Sequence, residues 1–256
     1  MTESTDARAE LRERLGPGAR YDDPKAPGEE LRFARLGTAY FARKLNELSD
    51  RQLTAQTDMG LRLRRIVCEV SYRARSFAQI VEWVRNGVFW PGEDPFEAEA
   101  QNVELGLTLP AAALRHLFKH SEVHLNVEWR DLRGDEWDAV LYLPSQKGMA
   151  VRDTAWQRAR LIWLNAFDLG NGGSFTDFPP DLVDALLAHG AWKWNQPEGF
   201  TLHASDRQTP LVFGRSASDV IVRGKAADLA RWVTGRGAHN IEATGPLPEI
   251  ATDHSL

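Results

Sequence analysis

Cysteine is nearly absent from this chain: Cys68 is the single one in 256 residues. One thiol excludes an internal disulfide and any zinc ribbon built from paired Cys-x-x-Cys motifs. Long hydrophobic runs are missing too, and none approaches the ~20 residues that a membrane-spanning helix needs. The first 20 residues are charged and lack the apolar core of a signal peptide, so the expected location is the cytoplasm. There is no surplus of positive charge. The 31 Lys and Arg face 36 Asp and Glu, a net of -5, which argues against nucleic acid as a partner. What is present is an ordinary globular composition, 43% hydrophobic and 26% charged, able to bury a core. The length allows one large domain or two small ones.

The hydrophobic pattern divides the chain into three parts. Residues 1–29 are rich in charge, proline and glycine, and Pro17, Pro24 and Pro27 break any continuous helix. This part is expected to be an extension wrapped on the surface or partly disordered. From 30 to 170 the spacing is helical. Leu31, Ala34, Phe41 and Leu45 mark a first helix, and Ile66, Val70, Phe77 and Val84 a second that stops at Asn86-Gly87. A third begins at Pro110 and runs through Leu114, Phe118 and Leu125, and 152–169 forms a fourth. Four amphipathic helices with unequal connections predict an antiparallel bundle. Gly170-Asn171-Gly172-Gly173 lacks the context of a phosphate loop and reads as a linker. After it come a helix over 180–194, short strand-like runs at 200–203, 211–213, 220–222 and 241–243, and a short helix over 228–233. The expected fold class is therefore α+β, a four-helix bundle (30–170) followed by a smaller α+β domain (171–256).

Several constellations carry chemistry. His116, His120 and His124 recur every four residues along one stripe of the third helix, about 6 Å per step. Neighbouring members could share a metal, although a polar flank of a bundle helix, with Glu122 and Glu128 alongside, is the plainer reading. The second helix is rich in arginine, and Glu69 lies four residues from both Arg65 and Arg73. A carboxylate facing the bundle centre needs a partner, because burying it alone is costly. Cys68 reads as a small packed residue rather than a nucleophile. Arg236, between Gly235 and Gly237, could hold a carboxylate bidentately or simply follow a helix cap.

At these residues the chain resembles the thiol-dependent, or mycothiol-dependent, maleylpyruvate isomerase family of DinB-like four-helix-bundle metalloproteins. The resemblance is carried by Ala34-Arg35-Leu36-Gly37-Thr38, by Glu82-Trp83 before Asn86-Gly87, and by Asn126-Val127-Glu128-Trp129-Arg130. It continues through Trp156, Arg158, Arg160, Trp163 and Asp168-Leu169, and through Leu229 to Gly235-Arg236-Gly237. It implies a bundle followed by a small α+β domain. It also implies a divalent metal, usually zinc, held by one histidine of the second helix and a Glu-x-x-x-His pair of the fourth. The metal would hold a thiolate that adds to the cis double bond of maleylpyruvate before rotation and elimination.

Carried over position by position, the resemblance puts Glu69 at the second-helix histidine, Leu161 at the fourth-helix glutamate and Asn165 at its histidine. Leucine cannot bind a metal and a neutral amide oxygen suits zinc poorly, so no metal is expected at this degenerate site. Gly60 keeps the family's glycine before the second helix, with Leu61 where a tryptophan is expected. Arg236 falls on the family's second-domain arginine, which helps hold the acidic substrate. The expected function is metal-independent action on a small unsaturated oxo-acid or related carboxylate. Glu69 and Asn165 would be the catalytic groups, and Arg236, Arg158 and Arg73 the substrate-holding ones. The alternative is a non-catalytic small-anion-binding or accessory protein that has lost the isomerase chemistry. The cofactor that the resemblance still implies is a low-molecular-weight thiol, mycothiol or glutathione. The expected assembly is a monomer or weak homo-oligomer.

Overall fold

The computed structural model describes residues 21–144, 148–196, 198–214 and 220–250. Residues 1–20 of the expected N-terminal extension lie outside the described residues. The chain forms two compact units, one ending at Asn171 and the other beginning at Gly172.

The first unit is helical. Helix α1 spans Gly28–Glu47, the short α2 Asp50–Thr54, α3 Asp58–Arg85, α4 Glu99–Gly106, α5 Ala111–Asp131 and α6 Asp153–Asp168. Four of these, α1, α3, α5 and α6, make the bundle, with α1 packed along α6 and α3 along α5, while α3 also touches α6. Their apolar stripes meet in a core that includes Phe33, Phe41, Phe77, Ile80, Leu114, Leu125 and Trp163. Each such side chain contributes roughly 1.5–3 kcal/mol when fully buried. The seam between α1 and α6 is close. Trp163 stacks on Tyr40 at 4.9 Å between ring centroids, and its Nε1 donates to the Phe33 carbonyl at 2.9 Å. Gly37 permits this approach, since a Cβ there would stand 2.5 Å from Ile162 Cγ2 and 2.7 Å from the Trp163 ring.

Local chemistry sets the helix starts. Ser49 and Gln52 form a reciprocal capping box at α2. Thr57 caps α3 by accepting from the Gly60 amide at 3.2 Å. Gly60 itself is sterically required, because a Cβ would fall 2.2 Å from the Ala55 carbonyl oxygen. Three elements escaped the hydrophobic pattern: α2, α4, and the two-stranded hairpin of β1 (Val140–Leu141) and β2 (Met149–Ala150). After α5, Leu132 is buried at the helix end, and a tight helical turn over Gly134–Asp138 buries Trp137.

The second unit is α+β. Helix α7 spans Pro180–Lys193, β3 Phe200–Ala204, β4 Leu211–Phe213, β5 Ile221–Gly224, α8 Ala226–Val233 and β6 Glu242–Ala243. The sheet order is β4-β3-β5-β6, with β3 and β5 parallel and both outer pairings antiparallel. Phe200 stacks on Phe213 at 4.5 Å and meets Trp232 of α8 at 5.3 Å, so one aromatic cluster joins sheet to helix. No described helix is long and apolar enough to cross a membrane.

Candidate functional site

The three positions that the resemblance puts at metal ligands lie on α3 and α6. Glu69 is half-buried on α3, and Leu161 and Asn165 are 5% and 9% exposed on α6. Asn165 Nδ2 donates to the Leu161 carbonyl one turn back at 3.0 Å, so part of its amide is spent within its own helix. One carboxylate, one apolar side chain and one partly engaged amide do not fit a zinc ion. Among the described residues, no three His, Cys, Asp or Glu side chains are grouped to hold a metal. The side chains at these three positions therefore do not fit the divalent metal that the resemblance implies.

Cys68, beside Glu69, is fully buried, and Gly106 of α4 packs directly over its sulfur. Burial, with the charge of Glu69 adding to it, pushes the thiol up to about 12. At neutral pH it is a protonated packing group, not a nucleophile.

The centre of the bundle holds an ion pair that the sequence reading did not assemble. Arg158 of α6 has no exposed surface. Its NH2 donates to Glu122 of α5, and its NH1 donates to the Val70 carbonyl of α3 at 2.7 Å. Thr38 of α1 completes the group, with its hydroxyl 3.0 Å from Glu122 Oε2 and 2.9 Å from its own Ala34 carbonyl. Each of the four bundle helices thus supplies one member. Burial, with the like charge of Arg73 adding to it, pulls the Arg158 guanidinium below its ordinary value.

Arg73 is also committed. Its Nε donates to both oxygens of Glu99 of α4, at 3.0 and 2.8 Å, and Ser76 donates to Glu99 Oε2 at 3.1 Å. Glu122 and Glu99 neutralise the two arginines. Glu122 is part of the interior rather than of a solvated flank, with its side chain 11% exposed. The signal was in the sequence: Glu122 stands four residues after Phe118, three before Leu125 and seven before Trp129, all of them buried.

The histidine stripe runs along α5, with ring centroids 6.2 and 6.3 Å apart. His116 and His120 are exposed, and His124 is half-buried with Nε2 at 3.5 Å from Glu128. In the second unit, half-buried Arg236 follows α8, and its NH1 donates to the Thr234 carbonyl at 2.6 Å. Its own carbonyl accepts from Arg231 Nε at 3.0 Å.

Comparison with curated proteins finds no match. The family model described as the MDMPI C-terminal domain matches residues 177–252. Among solved structures, a mycothiol-dependent maleylpyruvate isomerase superposes with a TM-score of 0.76 at 27% identity, covering 88% of this chain and 95% of that one. A variant of a mycothiol-dependent maleylpyruvate isomerase with one histidine changed to alanine matches with the same TM-score at 26% identity, over the same shares. The two-unit architecture, the domain match over 177–252 and these superpositions agree: residues 177–252 form the family's MDMPI C-terminal domain, and the chain as a whole is similar in sequence and fold to the mycothiol-dependent maleylpyruvate isomerases.

Proposed function

We propose that this protein is a metal-independent member of its family that acts on a small unsaturated oxo-acid or a related carboxylate. The observation that supports this is the residue set that the resemblance puts at the ligand positions: a half-buried carboxylate, Glu69, on α3, with the buried Leu161 and Asn165 on α6. A carboxylate can assist such an isomerisation by taking and returning the proton of a thiol co-reactant. Glu69 would take the thiol proton, and the thiolate would add to the alkene carbon β to the oxo group, moving the electron pair onto the oxo oxygen as an enolate. The former double bond is then single and rotates, collapse of the enolate expels the thiolate, and Glu69 returns its proton. The second amide proton of Asn165 would donate to the enolate oxygen. A thiol, mycothiol or glutathione, is the co-reactant to compare against none. For Arg236 we propose a role in holding a carboxylate, read as a weaker apparent affinity for carboxylates in Arg236→Met.

A second reading is favoured by one observation. Arg158 and Arg73 are each paired with an internal carboxylate, which removes two cations from the set proposed to hold substrate. In that reading the protein binds small anions and turns nothing over. The assay follows isomerisation of maleylpyruvate by the full chain, with each thiol and without, in the presence of a chelator. The enzyme reading expects turnover that the chelator does not change and that Glu69→Gln abolishes while the circular dichroism spectrum persists. Absence of turnover in the unaltered protein supports the binding reading, and full activity in Glu69→Gln removes the role given to Glu69.

A further inference from the structure

The arginines of α3 are spoken for, with one exception. Arg62 donates to the Asp168 carbonyl, Arg64 to the carbonyls of Leu53 and Ala55, and Arg65 pairs with Glu104. Arg73 pairs with Glu99, and Arg85 with Glu128 and Asp131. Arg75 alone has no carboxylate or carbonyl partner among the described residues; its guanidinium lies 5.9 Å from the Tyr72 ring centroid.

Arg75 stands at one end of a groove of about 510 Å3 between α3 and α5. Gln79, Trp83 and Asn86 continue the same α3 face at four-, eight- and eleven-residue steps, and His120 and His124 of α5 form the opposite wall. The side chains of Gln79, Asn86 and His120 have no hydrogen-bond partner among the described residues. Arg75, the amides of Gln79 and Asn86 and the half-buried indole of Trp83 thus share the α3 wall and face His120 and His124 across the groove. The groove is distinct from the Glu69–Asn165 positions and lies wholly within the first unit.

We propose that this groove is a second ligand site, which binds a flat, singly charged aromatic carboxylate. Arg75 receives the carboxylate bidentately, Trp83 takes the ring, and the amides of Gln79 and Asn86 with the imidazole of His120 hydrogen-bond its polar substituents. Glu82 at the rim sets the charge limit, since its carboxylate opposes a dianion such as phosphate. A cleft of about 430 Å3 on the other side of Arg75 is unsuited to the same ligand, because Glu93, Asp94 and Glu99 line it.

The test is a titration of the 15N-labelled full chain with benzoate, followed by amide and indole shifts in two-dimensional NMR. Saturable shifts at Trp83, His120 and His124 are expected. Arg75→Met should weaken binding at least about tenfold, and Trp83→Leu at least about threefold. Arg75→Lys should fall between, and circular dichroism establishes that each variant is folded. Cyclohexanecarboxylate, with equal charge and no flat face, should bind more weakly than benzoate, and inorganic phosphate should not displace it. Glu69→Gln should leave benzoate binding unchanged, which separates this site from the proposed catalytic one. No saturable shifts, unchanged affinity in Arg75→Met, or loss of binding in Glu69→Gln would each overturn the proposal.

Discussion

Arg158 and Glu122 meet in the middle of the bundle, the guanidinium with no exposed surface and the carboxylate with 11%. Two opposite charges have been taken out of water together, at a solvation cost of several kcal/mol per ion that their contact offsets only while both remain. Glu122→Gln leaves the Arg158 charge stranded and should lower stability by about 3–5 kcal/mol. Replacing both residues with methionine should cost clearly less than the sum of the single changes. A double-mutant cycle in urea measures this, and additive losses would show that the two charges are not coupled.

The metal argument predicts a gain as well as an absence. Restoring the family's ligand set with Glu69→His, Leu161→Glu and Asn165→His should create a site that keeps one zinc per chain after dialysis. Elemental analysis of the triple variant beside the unaltered protein checks this. Failure of the triple variant to retain zinc would mean that α3 and α6 do not present these three positions to one metal ion.

Cys68 supplies a pH dependence whose sign follows from burial. Its folded thiol is pushed up to about 12, whereas an unfolded thiol titrates near 8.5. The folded state therefore holds the proton more tightly. The associated stability is fully present below about pH 8.5 and falls by about 1.4 kcal/mol per pH unit as pH rises toward the folded value. Urea titrations between pH 8 and 10 should show a steeper decline for the unaltered protein than for Cys68→Ala. A thiol reagent at pH 8 should modify Cys68 only after unfolding.

Gly37 tests the seam between α1 and α6. An alanine there gains about 1 kcal/mol of helix propensity. It also drives a methyl to 2.5 Å from Ile162 and 2.7 Å from Trp163, an overpacking that costs about 1–3 kcal/mol. Both neighbours are buried and cannot swing away, so Gly37→Ala should lower the thermal midpoint, and an unchanged or raised midpoint would show that the seam gives way.

How legible the molecule was depended on periodicity. Helices α1, α3, α5 and α6 were visible because long apolar stripes at 3.6 spacing leave few alternatives, and the α+β texture after Gly173 followed from short β-prone runs between turn residues. Helix α4 was not visible. Its eight residues, Glu99–Gly106, bury only Glu99, Val103 and Gly106, too few to set a period. The same blindness affected the candidate site. Glu69 stood out by its spacing from two arginines on its own helix and by the resemblance, which puts it at the second-helix histidine. The partners that bind Arg158 and Arg73, Glu122 and Glu99, come from other helices 36 and 26 residues away. Spacing rules see along an element, and they do not see across a bundle. The resemblance located Arg158 without revealing what it holds, and no sequence pattern marked Gly37 as the point where two backbones close on an indole.

The quartet of Thr38, Val70, Glu122 and Arg158 also bears on how the bundle comes apart. One guanidinium fastens a contact on α3 and another on α5, which in turn engages α1, so detaching any one helix exposes an unmet charge to the rest. Partial opening is then nearly as costly as complete unfolding. The slowest-exchanging amides of all four helices should share one opening free energy, and a protease should find the first unit either whole or fully unravelled, with few nicked forms between.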